Sequence, residues 1–317
     1  MDVLEIWSAL IWPLLKLTMF ISLGLLVGQL IEALNWTRVV AAGVSPLLRL
    51  GRLSDIAGAS FSLAFFSGIS ANSMLADAYE QGRISRRELI MSNLFNSLPT
   101  YFLHLPSVFF ILVPLIGAAA GVYLGLTIGS AMLRTVFILL FSRFFLPPPI
   151  ERCVSCRLDE KGPVSFKDAI KRTVQRFKKR ILRVLSITVP IYVCFFLLNR
   201  WGAFRAVEEF MAQNLGWLSW LSPQAVSVVV FQMAAEFSAG AAAAGALLSA
   251  GSLSQKEVVL ALLVGNILSS PMRAVRHQFP YYAGIFKPAL AAKLIFWNQG
   301  LRVISLIFVG AVYSVLS

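Results

Sequence analysis

Apolar residues run along this chain in long continuous stretches rather than in alternation. The main ones cover residues 6–34, 54–79, 89–103, 107–145, 184–198, 223–250, 258–270 and 289–315. Stretches of about 20 apolar residues match the thickness of a bilayer core. A transmembrane barrel would instead show short segments of alternating polarity. The pattern predicts an all-α polytopic membrane protein. Several stretches are interrupted. Pro13 and Lys16 break the first, and 54–79 carries the small polar sequence Ser67-Gly-Ile-Ser-Ala-Asn-Ser73. Such a segment reads as a broken helix, tolerated in a membrane only where protein or a cavity covers it. Residues 107–145 contain no polar loop and read either as one long helix preceded by a half-helix or as two spans. Residues 36–52 and 201–220, with aromatic and basic positions at intervals, read as interfacial.

Gly117, Gly121, Gly125 and Gly129 recur every fourth residue. On a helix they form a flat stripe, read here as a surface for close approach of a neighbouring helix, with a substrate- or lipid-lined groove as the alternative.

The two halves of the chain share an order of parts. Gly82-Arg-Ile-Ser-Arg-Arg-Glu-Leu89 matches Gly251-Ser-Leu-Ser-Gln-Lys-Glu-Val258. Each has Gly, an apolar residue, Ser and then Glu three positions on, the signature of a capping box opening a helix. Downstream, Asn96, Pro99, His104 and Pro106 parallel Asn266, Pro271, His277 and Pro280 with small gaps. This divides the chain into a membrane repeat over 1–145, a loop over 146–182 and a second repeat over 183–317, each with about four to five membrane helices. Basic residues mark the first tip and the second tip is nearly neutral, which leans toward inverted repeats, with a parallel repeat carrying re-entrant hairpins as the alternative. Internal duplication with interrupted helices is a feature of secondary transporters.

Composition agrees. The 317 residues are 58% hydrophobic and 14% charged, with a mean hydropathy of +0.76; soluble domains are about one-quarter charged. Residues 143–183 hold 12 basic and four acidic side chains, a net +8 of the chain's +13. That charge reads as one cytoplasmic loop obeying the positive-inside rule in an inner (cytoplasmic) membrane, not as a nucleic-acid surface. Within it, 166–183 reads as an amphipathic helix lying on the anionic inner leaflet.

The segments Ser67-Gly68-x-x-Ala71, Gly82-x-Ile84-Ser85-x-x-Glu88 and Asn96-x-x-Pro99, with Ala239-Gly240, Gly251-x-Leu253-Ser254-x-x-Glu257, Asn266 and Pro271 in the second half, resemble the nucleoside-recognition or Gate domain. That domain is found in the permeases of ferrous-iron transporters and in sporulation-type membrane proteins. The resemblance covers roughly residues 54–110 and 223–285. It implies paired hairpins meeting near the midplane and, usually, transport. The chain lacks the GTP-binding P-loop of the iron permeases, and its cysteines lie outside the hairpins, which argues against iron.

Charged groups at membrane depth are site candidates by default. Glu236 is read as a coupling carboxylate or ligand group, or else as the ion-pair partner of Arg273 or Arg302. Asn96 and Asn266 bind solute or ion, or act as interhelical glue. Ser67, Ser70, Asn72 and Ser73 line a site or satisfy freed backbone. Arg273, Arg276 and His277 suit an anionic solute or mark a membrane boundary. His104 and His277 alone make no metal site. Cys153-x-x-Cys156 is half of a zinc knuckle, which two copies in a homodimer would complete, or a pair of free thiols. No nucleophile elbow, HExxH or dinucleotide fingerprint is present and no cofactor is implied, so catalysis is not expected. The sequence thus points to a secondary transporter working by alternating access on a small polar or anionic solute, nucleoside-like by resemblance. The alternative is a non-transporting scaffold or sporulation-type factor that docks a partner through the basic loop.

Overall fold

A computed structural model describes residues 45–65, 68–147, 220–235, 237–274 and 278–316, with isolated positions within 7–22 and 167–201. Apart from a π-helical turn at Trp7–Ile11, the described chain forms eleven helices and no strand. They are α1 (Ser45–Gly51), α2 (Asp55–Ala64), α3 (Gly68–Glu80), α4 (Arg86–Phe95), α5 (Ser97–Ile116), α6 (Ala118–Phe145), α7 (Pro223–Ala235), α8 (Phe237–Ser249), α9 (Gln255–Arg273), α10 (Phe279–Phe286) and α11 (Pro288–Leu316). Among the described residues, three continuous helical stretches are long and apolar enough to cross a membrane: Arg86–Ile116, Ala118–Phe145 and Pro288–Leu316. At a rise of about 1.5 Å per residue, α6 is about 42 Å long, more than the hydrocarbon core needs. The protein is an all-α membrane protein.

The distribution of polarity fits that setting. Phe137, Phe144, Phe296, Ile304 and Phe308 lie on the outside, while Arg134, Asn266 and Gln299 are buried. Lipid is as apolar as leucine, so what such helices bury is small and polar.

The two tips have one local geometry. Gly82 and Gly251 both stand at φ 68°, a left-handed position that suits glycine at the end of a helix. The Gly82 amide donates to the Tyr79 carbonyl (3.0 Å) and the Arg83 amide to Ala78 (2.9 Å); the Gly251 and Ser252 amides repeat this with Leu248 (3.1 Å) and Leu247 (2.9 Å). Ile84 and Leu253 follow, both buried. Ser85 and Ser254 then cap α4 and α9, each accepting from the amide three residues on, Glu88 (3.1 Å) and Glu257 (3.3 Å). The tips differ in the carboxylate. Glu257 Oε2 takes the Ser254 amide (2.9 Å) and hydroxyl (2.8 Å), completing the box. Glu88 reaches across to the Ser54 amide at 3.3 Å.

The break expected in 54–79 is present: α2 gives way to α3 after Phe65; at Asn96, by contrast, α4 runs on into α5 as one helical stretch. Residues 107–145 resolve into two spans, because the chain passes from α5 to α6 through Gly117 alone, at φ 54°. The boundary read near residues 104–106 is absent; α5 runs through both Pro106 and Pro114. A membrane helix tolerates proline where neighbours and local adjustment re-satisfy the freed carbonyl. The glycine stripe meets no neighbouring helix among the described residues. Among the described residues, no atom lies within 4 Å of a Cβ placed at Gly117, Gly121, Gly125 or Gly129. The close helix approach occurs instead at Gly245 of α8, where a Cβ would stand 2.6 Å from the Leu115 carbonyl oxygen of α5.

Three clusters form the interior. One joins α5, the start of α6, α7, α8 and α9. A second joins α1, α2, α4 and the end of α6, around the Phe61–Phe95 stack at 4.2 Å. The third joins α3, α4, α10 and α11. At the far end of α6, the Ser142 hydroxyl donates to the Gly51 carbonyl at 2.9 Å.

Candidate functional site

A cavity of about 440 Å³ lies among α3, α4, α5, α6, α9, α10 and α11. Polar side chains enter its wall at a depth where the outer surface is apolar. Three arginines line it: Arg134 from α6, Arg273 from the end of α9 and Arg302 from α11. Arg302 stands 14 residues from either end of α11, about 21 Å of helix in each direction. A guanidinium at mid-span costs about 2.5–3.5 kcal/mol even on translocon scales, so its presence there points to a role. No aspartate or glutamate is among the described lining residues.

Asn266 organises the cationic end. Its Oδ1 accepts from Arg273 Nη2 (3.1 Å) and from Arg302 Nη2 (3.0 Å), and its Nδ2 donates to the Tyr123 hydroxyl (3.0 Å). One neutral amide therefore holds two like charges side by side. The Tyr101 and Thr127 hydroxyls pair at 2.8 Å. Ser130 bonds Ser305 at 2.9 Å, tying α6 to α11 one turn from the arginines. Ser270, Gln299 and Gln278 form a chain, with the Ser270 hydroxyl donating to Gln299 Oε1 (2.6 Å) and Gln299 Nε2 to Gln278 Oε1 (3.1 Å).

A second group of polar side chains is neutral. Asn93 Nδ2 donates to Asn72 Oδ1 (2.9 Å) and to the Tyr282 hydroxyl (3.2 Å), which joins α4 to α3 and α10. Asn96 lines the cavity too, with its amide engaged by Ser60: Nδ2 donates to Ser60 Oγ at 3.0 Å.

Of the residues singled out from the sequence, Asn72, Asn96, Asn266 and Arg273 meet in this cavity, and His104 lines it. Ser70 and Ser73 belong to α3, with side chains outside the description. Glu236, Ser67, Arg276, His277, Cys153 and Cys156 lie outside the described residues. Among the described residues no three His, Cys, Asp or Glu side chains cluster as a metal site. Sequence reasoning passed over Arg134, Asn93, Tyr123 and Tyr282, and weighed Arg302 only as a partner for Glu236. The rule that singled out Glu236 applies equally to Arg134 and Arg302, charges near the middle of the last spans of their halves.

Three uncharacterized proteins of the archaeon Methanocaldococcus jannaschii are similar to this chain over most of its length. One is 27% identical over 274 residues, covering 84% of this chain and 83% of the relative. A second is 24% identical over 282 residues, 86% and 88% of the two. A third is 28% identical over 280 residues, 86% and 84%. No family profile matches the chain, and no solved structure matches it.

Proposed function

We propose that the protein is a secondary-type transporter that carries a small anionic solute through this cavity by alternating access. The observation that carries the reading is the set of three arginines, Arg134, Arg273 and Arg302, lining a cavity between membrane-spanning helices. Guanidinium groups suit carboxylate and phosphate, and charge held at membrane depth points to a role.

We further read the helices as two Gate-like repeats in inverted orientation, with α2 to α6 equivalent to α7 to α11. The identical φ of Gly82 and Gly251 and the matched serine caps support the equivalence. Gly245, near the second tip, packs on Leu115 at the start of the α5–α6 turn, whereas Gly51, near the first tip, meets Ser142 at the far end of α6. Tips at opposite ends of one spanning helix favour inversion. The first tip's end carries Arg49, Arg52, Arg83, Arg86, Arg87 and Arg143, which by the positive-inside rule is the cytoplasmic end in an inner membrane. Glu236, outside the described residues, stays a candidate coupling or ligand carboxylate, with an ion pair to Arg273 or Arg302 as the alternative.

The test replaces Cys153, Cys156 and Cys194 and introduces single cysteines at Thr100 and Gln278, two lining positions. In proteoliposomes, each is labelled from either side with membrane-impermeant reagents, with and without phosphate esters, carboxylates or nucleosides. Labelling from both sides, blocked by an anion, is the expected result. Cysteines closed to both sides would overturn transport in favour of a packed scaffold.

A further inference from the structure

The lining of the cavity divides once its covered side chains are set aside. Asn72, Asn93, Asn96, Arg134, Asn266 and Gln299 are at most 7% exposed, covered almost wholly by the protein itself. What a ligand meets is the half-buried lining, and that surface is of two kinds. Arg302, Gln278 and Asn298 offer polar groups, while Leu105, Val108, Ile111 and Phe237 offer hydrocarbon. Thr100, Tyr101, Leu105, Val108 and Ile111 fall at helical spacing and share one face of α5, as a 3.6-residue period requires. That face changes along its length. It carries hydroxyls at Thr100 and Tyr101 and then aliphatic side chains through Ile111, with His104 and Ser107 along one border. From Tyr101 to Ile111 it covers about 15 Å of helix.

Tyr123 shows how close the two kinds of surface lie. Its hydroxyl is held by Asn266, which also receives Arg302, and its ring stands 6.0 Å from that of Phe237. Leu105, Val108, Ile111 and Phe237 all pack on the one apolar cluster that contains Tyr123. Hydrocarbon therefore begins one side chain away from the guanidinium. The volume bears on the same question. The cavity's 440 Å³ lies within the range of pockets for drug-sized organic ligands and equals the liquid volume of about 15 water molecules. An inorganic oxyanion fills only a small part of it.

We propose that the solute is amphiphilic: an oxyanion head taken by Arg302 beside Asn266, and an apolar body of several carbons lying against Leu105, Val108, Ile111 and Phe237. This deepens the transport reading and rests on it for the identity of the cavity as the solute site. A guanidinium has five N–H donors, and the one that Arg302 gives to Asn266 leaves others for a carboxylate or phosphate. A wholly polar solute gains nothing from the α5 face, whereas each methylene laid on it raises affinity about four-fold. Neutral alkyl compounds forgo the charge-assisted contact at the head, and alkylammonium ions meet like charge there.

The test is binding to the purified full-length protein in nanodiscs, by calorimetry against empty nanodiscs, which removes partition into lipid. The probes are butanoate, hexanoate and octanoate, butyl and hexyl phosphate, inorganic phosphate, hexanol and hexylamine. Affinity should rise about four-fold per methylene within each alkyl series, and hexanol and hexylamine should bind roughly 100-fold more weakly than the six-carbon anions. The carboxylate and phosphate arms decide which head the arginine takes. Arg302→Gln should weaken every anion by roughly 100-fold while keeping the gain per methylene. Ile111→Trp fills part of the apolar wall and should cost octanoate about ten-fold more affinity than it costs butanoate, and Val108→Ser should reduce the gain per methylene. If Arg302→Gln does not fold, the series on the native protein and the two α5 variants still decide. Affinity that stays flat along both series, hexanol bound as tightly as hexanoate, equal losses for octanoate and butanoate in Ile111→Trp, or no binding by any probe overturns the proposal. Chain-length-dependent binding with no flux in proteoliposomes would sink transport and leave the amphiphile site standing; flux of short anions with no chain-length preference would do the reverse.

Discussion

Two glycines in membrane helices should respond to the same substitution with opposite sign. At Gly245 an added Cβ would meet the Leu115 backbone at 2.6 Å from its carbonyl oxygen and 3.1 Å from its carbonyl carbon. Backbone atoms cannot rotate away, so α5 and α8 must separate by several tenths of an ångström. Overpacking of this kind costs about 1–3 kcal/mol, and the better helix propensity of alanine returns up to about 1 kcal/mol. Gly245→Ala should therefore lose about 1–2 kcal/mol net, and Gly245→Val more, since both of its added methyls enter the same gap. At Gly125 nothing among the described residues lies within 4 Å of the added Cβ. Gly125→Ala should then be neutral or gain up to about 1 kcal/mol. The assay is unfolding of both variants in one detergent, by fluorescence-detected gel filtration after graded heating. Equal stability of Gly245→Ala and the native protein would refute the close packing of α5 on α8. A loss at Gly125 as large as that at Gly245 would mean that the glycine stripe is covered after all.

The tips give two further predictions. Gly82→Ala and Gly251→Ala should each cost about 1–2 kcal/mol, because both sites hold φ 68° with open space around the Cβ, so only the left-handed backbone is penalised; clearly unequal losses in thermal unfolding would refute the equivalence of the tips. Ser254→Ala should cost about 1 kcal/mol, more than Ser85→Ala, since Ser254 also donates its hydroxyl to Glu257. The acid limb should show the same box. Burial alone would raise the Glu257 carboxyl, but the Ser254 amide and hydroxyl hold it below its ordinary value of 4.5. The stability this gives is complete above that value and fades as pH falls through the lower folded one. Glu257→Gln should remove it at neutral pH and flatten the stability profile below pH 4.5; an unchanged acid profile would refute the box.

What the sequence disclosed and what it hid divide along physical lines. The tips were legible because their geometry is local: Gly, an apolar residue, Ser and Glu carry the turn, the plug and the cap within seven positions. The break around Ser67 was legible for the same reason. The reversal at Gly117 was not, since one glycine with apolar neighbours on both sides gives no polar signal, and it sits at the head of a glycine series that suggests packing. Asn266 was found through its place in the repeat, but its work in holding Arg273 beside Arg302 depends on α11, 36 residues away. Asn93 escaped because its partners, Asn72 and Tyr282, come from two other helices. Arg134 and Arg302 escaped for another reason: attention went to the lone acid, although a lone base at membrane depth carries the same information.

The positive lining also decides how the transmembrane voltage acts on the protein. A charge moved through the full field changes energy by about 2.3 kcal/mol per 100 mV. On the proposed transport reading, binding an anion changes the net charge that the cavity presents to that field. The voltage therefore biases the two states unequally, and net flux of solute should be electrogenic. A cell interior held negative would then drive an anion outward and oppose its entry, so that uptake calls for cations travelling with it while export needs none.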